Sequence, residues 1–253
     1  MRKLIRPKVT VIMNVHNGEE FISEAIASVI NQTYQNWELL IWDNFSTDKT
    51  FELIRRFKDK RITYFKSNTF DKLYTARNKA MNISNGDLIT FLDSDDIWFP
   101  NKLEEQSNIM QDNSIDFCYS NFYQINKNSK KIFPPKAYYS NLPSGKIYKN
   151  LLQKYTVGIL TLCLRKKSLI KYGISFEPRY SIIGDMVFVL ELSKFGNCYA
   201  SQNCLACYRT HEGSLSKRKV LMQVKEMRNW FYNLKKAGKW NQSVYKSLEN
   251  LTN

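Results

Sequence analysis

The sequence has no long hydrophobic run. None of its apolar stretches approaches the roughly 18 residues that a membrane-spanning helix needs. Residues 1–15 begin with basic residues and continue into an apolar patch, as a signal peptide does. However, Asn14, His16 and Asn17 follow or interrupt that patch, and no small-residue cleavage site appears. We therefore expect a first β-strand here, in a protein of the cytoplasm, including the inner face of the membrane.

Cysteine and histidine are both scarce. The five cysteines are an odd number scattered in apolar surroundings, which is typical of buried thiols in a reducing compartment. Cys204 and Cys207 have the spacing of a metal-binding pair, but no second pair completes a zinc site, so core packing is predicted for them. The chain has two histidines and no Ser-His-Asp or Cys-His signature of a covalent nucleophile.

Acidic residues are too few to balance the basic ones. The 253 residues carry 38 Lys and Arg against 23 Asp and Glu, a net charge of +15. Residues 217–253 hold nine of the basic residues and two of the acidic ones. Such a surplus favours a negatively charged partner, which leaves nucleic acid, anionic lipid and phosphorylated substrates as candidates. The 43% hydrophobic fraction excludes a disordered polyelectrolyte.

The first half of the chain alternates between strand and helix patterns. Apolar runs predict strands at residues 9–15, 38–43, 62–65 and 89–92, and segments with helical spacing of apolar residues follow the first three. Strands that recur every 25 to 30 residues or so with helices between them imply right-handed crossovers. The predicted fold class is therefore α/β, with a mainly parallel central sheet.

Three carboxylates follow the fourth predicted strand. Asp93, Asp95 and Asp96 emerge just past its C-terminal end, where an open α/β sheet has its ligand crevice. Carboxylates this close repel one another, and a divalent cation beside a bound phosphate would relieve the repulsion. The stretch from Asp93 through Ser94 to Asp95 is a candidate metal site, and a solvated acidic turn that caps the next helix is the alternative.

A further carboxylate, Asp43, closes the second predicted strand. It should lie on the same edge of the sheet as Asp93, where it can accept from a base N–H or a ribose hydroxyl. A helix cap is an equally good interpretation of Asp43 from spacing alone.

The second half is less regular. Strands are predicted at residues 116–122, 158–164 and 204–211, and a basic helix should stop at Gly173. The Pro- and Gly-containing residues 132–148 predict a substrate-selecting loop, in which Tyr138, Tyr139 and Tyr148 are candidates for stacking on a sugar. A basic amphipathic helix is predicted from Val220 onward, and it would pack on its own domain, on a second copy or on an anionic membrane.

Several motifs in order resemble family 2 glycosyltransferases of the GT-A fold. The resemblance lies in VTVIMNVHNGEEFISEAIASVINQTYQNWELLIWDNFSTDKT, in TARNKAMNISNGDLITFLDSDDIWFPNKLE and in the distant GDMVFVLEL. It is dense over residues 8–106 and continues more thinly to about residue 216. The resemblance implies a Rossmann-like three-layer sandwich, a nucleotide-diphospho-sugar donor, usually a uridine one, a Mn²⁺ or Mg²⁺ ion, and transfer with inversion.

The resemblance also assigns roles to individual residues. In the donor site Asp43 would face the uracil, Arg77 the base or diphosphate, and Asp93 the ribose. The backbone at Asn14, His16 and Asn17 would line the nucleoside pocket, with Ser94 beside the donor. Asp95 would bind the metal, and Arg209 and His211 would contact the diphosphate or the metal. Asp185 stands where the family has its catalytic base, although a carboxylate at a helix start is also a common cap.

Four positions depart from the family pattern. Asn44 replaces a second Asp, Phe45 replaces Gly, and His16 replaces a common Tyr. Gly184 stands where many members have Glu next to the base.

The expected organisation is a GT-A domain over residues 1–216 and a basic helical extension over residues 217–253. Residues 1–106 would bind the nucleotide sugar and residues 107–216 the acceptor, a glycan or a lipid-linked molecule. The extension would contact the membrane or a second copy, and no nucleic-acid partner is expected. A sugar nucleotidylyltransferase, which would need a Gly-rich loop where NVHNGEE has one Gly, and a non-catalytic nucleotide- or nucleic-acid-binding relative remain alternatives.

Overall fold

The computed structural model of the chain describes residues 6–132, 141–214 and 219–236. Its strands are β1 (Val9–Val15), β2 (Trp37–Asp43), β3 (Ile62–Lys66), β4 (Leu88–Phe91), β5 (Ile97–Trp98), β6 (Phe117–Asn126), β7 (Lys131–Ile132), β8 (Cys163–Arg165) and β9 (Cys198–Thr210). Its helices are α1 (Ile22–Ile30), α2 (Thr50–Ile54), α3 (Leu73–Ile83), α4 (Lys102–Ile109), α5 (Tyr148–Gln153), α6 (Lys166–Tyr172), α7 (Gly184–Phe195) and α8 (Val220–Lys236), with a 3₁₀ turn at Ile159–Thr161.

Across the described residues the strands form one sheet, in the order β3-β2-β1-β4-β8-β6-β9-β5, with β7 paired to β6. Strands β1 to β4 pair in parallel, as their alternation with helices predicts. The second half is mixed, because β8 runs antiparallel to both β4 and β6 whereas β6 and β9 are parallel. Parallel pairing therefore prevails only in the first half of the sheet.

Each face of the sheet is covered by its own hydrophobic cluster. Successive side chains of β1 alternate between the clusters, so that Ile12 packs on one face while Val11 and Met13 pack on the other. Helices α3, α7 and α8 contribute to the cluster on the Ile12 side, and α1 and α4 to the opposite cluster. This arrangement confirms the predicted three layers, because both sheet faces bury apolar side chains under helices.

Two predicted strands of the second half differ from the structure. Residues 158–164 were expected to form one strand, but the 3₁₀ turn Ile159–Thr161 precedes the short β8, because Thr161 N–H bonds back to the Gly158 carbonyl at 2.9 Å. A buried apolar run does not distinguish strand from turn. The predicted strand at 204–211 is the end of the longer β9, which begins at Cys198 and has register shifts.

The basic helix α8 packs on the same cluster as α3 and α7. Trp230 and Leu234 are buried there, while Val220, Leu221 and Tyr232 are exposed. In the described part of the chain, no helix combines the length and the apolar character needed to cross a bilayer.

Candidate active site

A cavity of about 1470 Å³ opens at the carboxyl ends of the parallel strands. The register explains its position: Val15 of β1 pairs with Asp43 of β2, and Ile12 pairs with Phe91 of β4, so these strands end at one edge. Most of the predicted site residues line this cavity: Asn14, His16, Asn17, Arg77, Asp93, Ser94, Asp95, Asp185 and His211. The fold thus brings residues from both halves of the chain to one space.

Arg77 links the two halves at the cavity wall. Its buried guanidinium donates from Nη2 to Asp93 Oδ1 at 2.5 Å and from Nη1 to Asp185 Oδ1. Asp93 follows β4, whereas Asp185 begins α7, 108 residues after Arg77 along the chain. One cation therefore holds two carboxylates at a fixed separation, since each bonds to a different nitrogen of the same planar group.

The groups around Asp185 have opposing effects on its pKa. Burial raises the pKa of its carboxyl, the Arg77 guanidinium lowers that pKa, and the nearby Asp93 carboxylate raises it, so that the net direction is upward. Burial lowers the pKa of the Arg77 guanidinium, but Asp185 and Asp93 more than offset that effect and keep it charged. A carboxylate with a raised pKa that still ionises is suited to accept a proton.

Asp95 and His211 meet on the opposite wall. His211 Nε2 lies 3.0 Å from Asp95 Oδ2, because β9 runs antiparallel to β5 and its end lies beside the turn after β4. Burial first, and then the Asp93 carboxylate, raise the pKa of Asp95, while His211 lowers it. A carboxylate in this position gains from an added cation, because both burial and Asp93 disfavour its charge.

The residues present supply some of the ligands that a hard divalent ion needs. A carboxylate oxygen and an imidazole nitrogen within 3.0 Å of each other can move apart to bind one ion. Within residues 6–132, 141–214 and 219–236, however, no three His, Cys, Asp or Glu side chains are grouped to enclose a metal. The other ligands would therefore come from the diphosphate and water, as Mg²⁺ sites in nucleotide enzymes often use.

Arg209 lies behind the Asp95–His211 pair and does not line the cavity. Its guanidinium is fully buried and donates to the Asp95 carbonyl at 2.7 Å, to Glu24 Oε2 at 2.9 Å and to Ser129 Oγ at 2.9 Å. Its backbone N–H donates to the buried Asp96 carboxylate at 2.8 Å. The structure thus places Arg209 where it supports the turn that carries Asp95, rather than where a phosphate would bind.

The nucleoside side of the cavity begins at the end of β1. Asn14 is buried, and neither polar atom of its amide has a partner, so the side chain has bonding capacity for a ligand. His16 packs edge-on against Phe70, with ring centroids 4.8 Å apart, and its Nδ1 lies 3.0 Å from the Asn44 carbonyl oxygen. Asn17 takes a left-handed φ of 52° and accepts the Thr47 N–H at 2.9 Å. This wall suits a flat, polar ring.

The end of β2 differs from the sequence prediction. Asp43 is fully buried, accepts from the Ser46 N–H at 2.8 Å and from the Tyr64 hydroxyl at 2.6 Å, and does not line the cavity. Asp43 therefore holds the turn that follows β2 and does not cap α2, which begins at Thr50 and has no side-chain cap. Asn44 lines the cavity instead. Phe45 has φ of 68°, the left-handed conformation that glycine adopts without strain, which explains why the family pattern has Gly there.

Two residues that support the site were missed by the sequence reasoning. Tyr74, one turn before Arg77 on α3, donates its hydroxyl to the Ile182 carbonyl at 2.9 Å and packs its ring against Gly184. A Cβ on Gly184 would lie 2.4 Å from that ring, so the Glu of other members has no room here. Glu226 of α8 bonds to the same turn. The spacing of three residues between Tyr74 and Arg77 indicates that both lie on one face of a helix, whereas no sequence pattern indicates that Glu226 contacts this turn.

Solved structures share this architecture at low sequence identity. The Staphylococcus aureus protein TarS, residues 1–349 in complex with UDP-GlcNAc, superposes with a TM-score of 0.70 over 82% of this chain, at 19% identity. This chain spans about 60% of that structure. The mannosyltransferase PcManGT of Pyrobaculum calidifontis, in complex with GDP-Man and Mn²⁺, superposes with a TM-score of 0.62 over 94% of this chain and 66% of its own, at 15% identity. These likenesses confirm the predicted GT-A fold.

The sequence profile described as glycosyl transferase family 2 matches residues 10–173, and the chain belongs to that family. Among its relatives is WfgD of Escherichia coli, named as a UDP-Glc:alpha-D-GlcNAc-diphosphoundecaprenol beta-1,3-glucosyltransferase. WfgD is 36% identical over 216 residues, which is 83% of this chain and 80% of the relative. The family prediction is therefore confirmed, and the chain is a family 2 glycosyltransferase.

Proposed function

We propose that the chain transfers a hexose from a UDP-sugar to a hydroxyl of a lipid-diphosphate-linked sugar, with inversion at the anomeric carbon. The observation that carries this proposal is the grouping of Arg77, Asp93 and Asp185 with the Asp95–His211 pair around one cavity. The name of WfgD, a relative over four fifths of both chains, supports the choice of UDP-sugar and of lipid-linked acceptor.

In this proposal Asp185 is the general base. The acceptor hydroxyl gives its proton to the Asp185 carboxylate as its oxygen bonds to the anomeric carbon, and the bond from that carbon to the β-phosphate oxygen breaks on the opposite face. Arg77 favours the ionised form of Asp185 until then and keeps the carboxylate beside Asp93. Once protonated, Asp185 loses its charge attraction to Arg77, so proton release to solvent restores the pair.

The leaving diphosphate needs positive charge near it. Asp95 and His211 are the residues that would hold a Mn²⁺ or Mg²⁺ ion. When bound, that ion would neutralise the charge that grows on the β-phosphate. Arg209 would act indirectly, because it fixes the Asp95 backbone and has no free face in the cavity.

Calorimetry tests the donor and metal parts of the proposal. UDP-glucose, UDP-GlcNAc and GDP-mannose would be titrated into the protein with and without Mn²⁺. We expect a UDP-sugar to bind more tightly with Mn²⁺, and Asp95→Ala to remove that metal dependence. The control is Asp87→Ala, which changes an exposed carboxylate next to the other end of β4. Absence of nucleotide diphosphate binding, or an unchanged metal effect in Asp95→Ala, would contradict the proposal.

The exposed side of α8 supports contact with an anionic membrane. Val220, Leu221 and Met222 are exposed apolar side chains in the first turn, and Lys225 and Arg228 on the same helix are exposed too. Basic residues beside exposed apolar ones are typical of helices that lie at a lipid interface. A lipid-linked acceptor would then reach a cavity whose wall includes residues of this helix.

Vesicle flotation tests this contact. We expect the protein to float with vesicles of anionic lipid, to float less with zwitterionic ones, and to lose binding in Leu221→Glu. Tyr232→Glu, on an exposed position near the other end of α8, is the matched control. If the protein forms dimers that Leu221→Glu separates, and does not float, then the helix serves self-association and the membrane proposal is wrong.

A further inference from the structure

Glu226 of α8 bonds to the chain just before the proposed base. Its carboxylate accepts three successive backbone N–H groups, from Ser181 at 2.7 Å, Ile182 at 3.0 Å and Ile183 at 3.1 Å. These residues form the turn that leads into α7, and Asp185 is the second residue of that helix. One side chain therefore satisfies three donors at a helix start that has no side-chain cap of its own.

The arrangement is favourable for a negative charge. Successive N–H groups form a concave anion site, and the start of a helix carries the positive end of its dipole. Hydrogen bonds to a carboxylate are also shorter and stronger than neutral ones. The turn is thus held in one conformation by a group 43 to 45 residues further along the chain.

Glu226 is itself fixed by the packing of α8. Trp230 and Leu234 follow at spacings of four residues, so all three side chains lie on one face of the helix. Trp230 and Leu234 are buried in the cluster that also contains Tyr180, just before the turn, and Ile183, within it. The burial of that face holds the carboxylate beside the turn.

The turn is held from its other side by α3. Tyr74 donates to the Ile182 carbonyl, while Ile182 N–H donates to Glu226, so one peptide segment is clamped between two helices. Arg77, on the same helix as Tyr74, then bonds to Asp185. The direction of Asp185 depends on both clamps, because only one residue separates it from the last N–H that Glu226 binds.

We propose that Glu226 is a positioning residue for sugar transfer, which orients Asp185 through the turn Ser181–Ile183. The inference rests on the proposed function, since it concerns the base of that reaction. Misplacement of a base by about 1 Å can cost on the order of 10²-fold in rate without a change in donor binding. Glu226 should therefore affect turnover and leave the nucleotide site, on the other side of Arg77, unchanged.

The experiment compares Glu226→Ala and Glu226→Gln by transfer from UDP-glucose to a GlcNAc-diphospho-lipid. We expect Glu226→Ala to lower kcat by about 10- to 100-fold with the donor Kd within about twofold of wild type. Glu226→Gln should restore part of kcat, because one oxygen, Oε2 in the native carboxylate, accepts both Ile182 and Ile183 N–H groups. Asn233→Ala, exposed on the same helix and outside the residues assigned above to the membrane contact, is the control.

A general loss of stability could also reduce activity, and Leu103→Ala in α4 distinguishes this case. Leu103 is buried in the cluster on the other face of the sheet from α8, so its truncation should lower Tm yet retain kcat near wild type at temperatures where the protein is folded. The inference is contradicted if Glu226→Ala keeps kcat within twofold, or if Leu103→Ala loses as much kcat as Glu226→Ala does. If the wild-type protein transfers no sugar, the proposed function itself is contradicted. If wild type is active and Asp185→Asn is inactive, the proposed function stands whatever the result for Glu226.

Discussion

At the scale of single residues, Asp185 has the environment of a base whose proton affinity is raised but limited. The ionisable groups that face it are Arg77, Asp93, Tyr74 and Tyr155. Burial raises the pKa of Asp185, and the Arg77 guanidinium opposes that rise by favouring the charged carboxylate. Nearby tyrosines stay neutral, because burial raises the pKa of both hydroxyls well above their usual value.

Substitution of Asp185 should therefore remove turnover and spare binding. We expect Asp185→Asn to lower kcat by about 10²- to 10⁴-fold, since the amide cannot accept the proton of the acceptor. In wild type, kcat/KM should fall as the pH drops through the pKa of Asp185. Because that pKa is raised, the acidic limb should lie above the range of an ordinary carboxyl. A pH–rate profile measures this, and Asp185→Asn with more than a tenth of wild-type kcat would contradict it.

At the scale of elements, the close approach of α3 to α7 positions Asp185, the proposed base. The Tyr74 ring occupies the space that a side chain on Gly184 would need. The two helices are consequently as near as a glycine permits, and the Tyr74 hydroxyl can reach the Ile182 carbonyl. This contact explains one departure from the family pattern in structural terms.

A methyl group on Gly184 should separate the two helices. We expect Gly184→Ala to destabilise the protein by about 1 to 3 kcal/mol, because the ring of a buried tyrosine must move. Gly184→Ala should lower the free energy of unfolding by less in the Tyr74→Leu protein than in wild type, since a leucine at position 74 leaves room for the added methyl group. Urea unfolding of the four proteins measures this coupling, and additive losses would show that the ring is not the obstacle.

The elements also show which parts of the molecule can be predicted from sequence. The bounds of β1 were predicted correctly, because a buried run of seven apolar or small polar residues with polar flanks has few alternatives. The strand expected at 158–164 was wrong, because burial alone does not distinguish a 3₁₀ turn from a strand. The pairing of Arg77 with Asp185 spans 108 residues, and only the resemblance to a family placed both in one site.

At the scale of the whole molecule, a buried polar network joins the two halves of the sheet. Lys102 of α4 is fully buried and donates to Thr90 Oγ1 at 3.1 Å and to Gln106 Oε1 at 2.5 Å. Thr90 and Gln106 in turn donate to the carbonyls of Leu162 and Thr161, each at 2.6 Å. The cation has no carboxylate among these partners, and burial lowers its pKa to about 8. The cavity walls are therefore parts of one packed body.

This lysine should make stability depend on pH. Between about pH 8 and the ordinary lysine pKa the folded state binds fewer protons than the unfolded one, so the free energy of unfolding rises with pH. Over that whole pH range the free energy of unfolding should rise by about 3 kcal/mol, because the pKa of Lys102 falls from an ordinary value of 10.5 to about 8 on folding. Urea unfolding at pH 7 and 9.5 measures the change in the free energy of unfolding with pH, and the contribution of Lys102 is the difference in that change between wild type and Lys102→Met. An equal pH response in the two proteins would contradict the account.

The most direct test of the whole account is the configuration of the product. If Asp185 acts as the proposed base on the face opposite the leaving diphosphate, the reaction is a single displacement and proceeds with inversion. Proton NMR of the disaccharide that wild type forms from UDP-α-D-glucose and a GlcNAc-diphospho-lipid would show the new anomeric proton. The account predicts a β-linked glucose. An α-linked product would contradict it, because retention is incompatible with a single attack from the face opposite the leaving diphosphate.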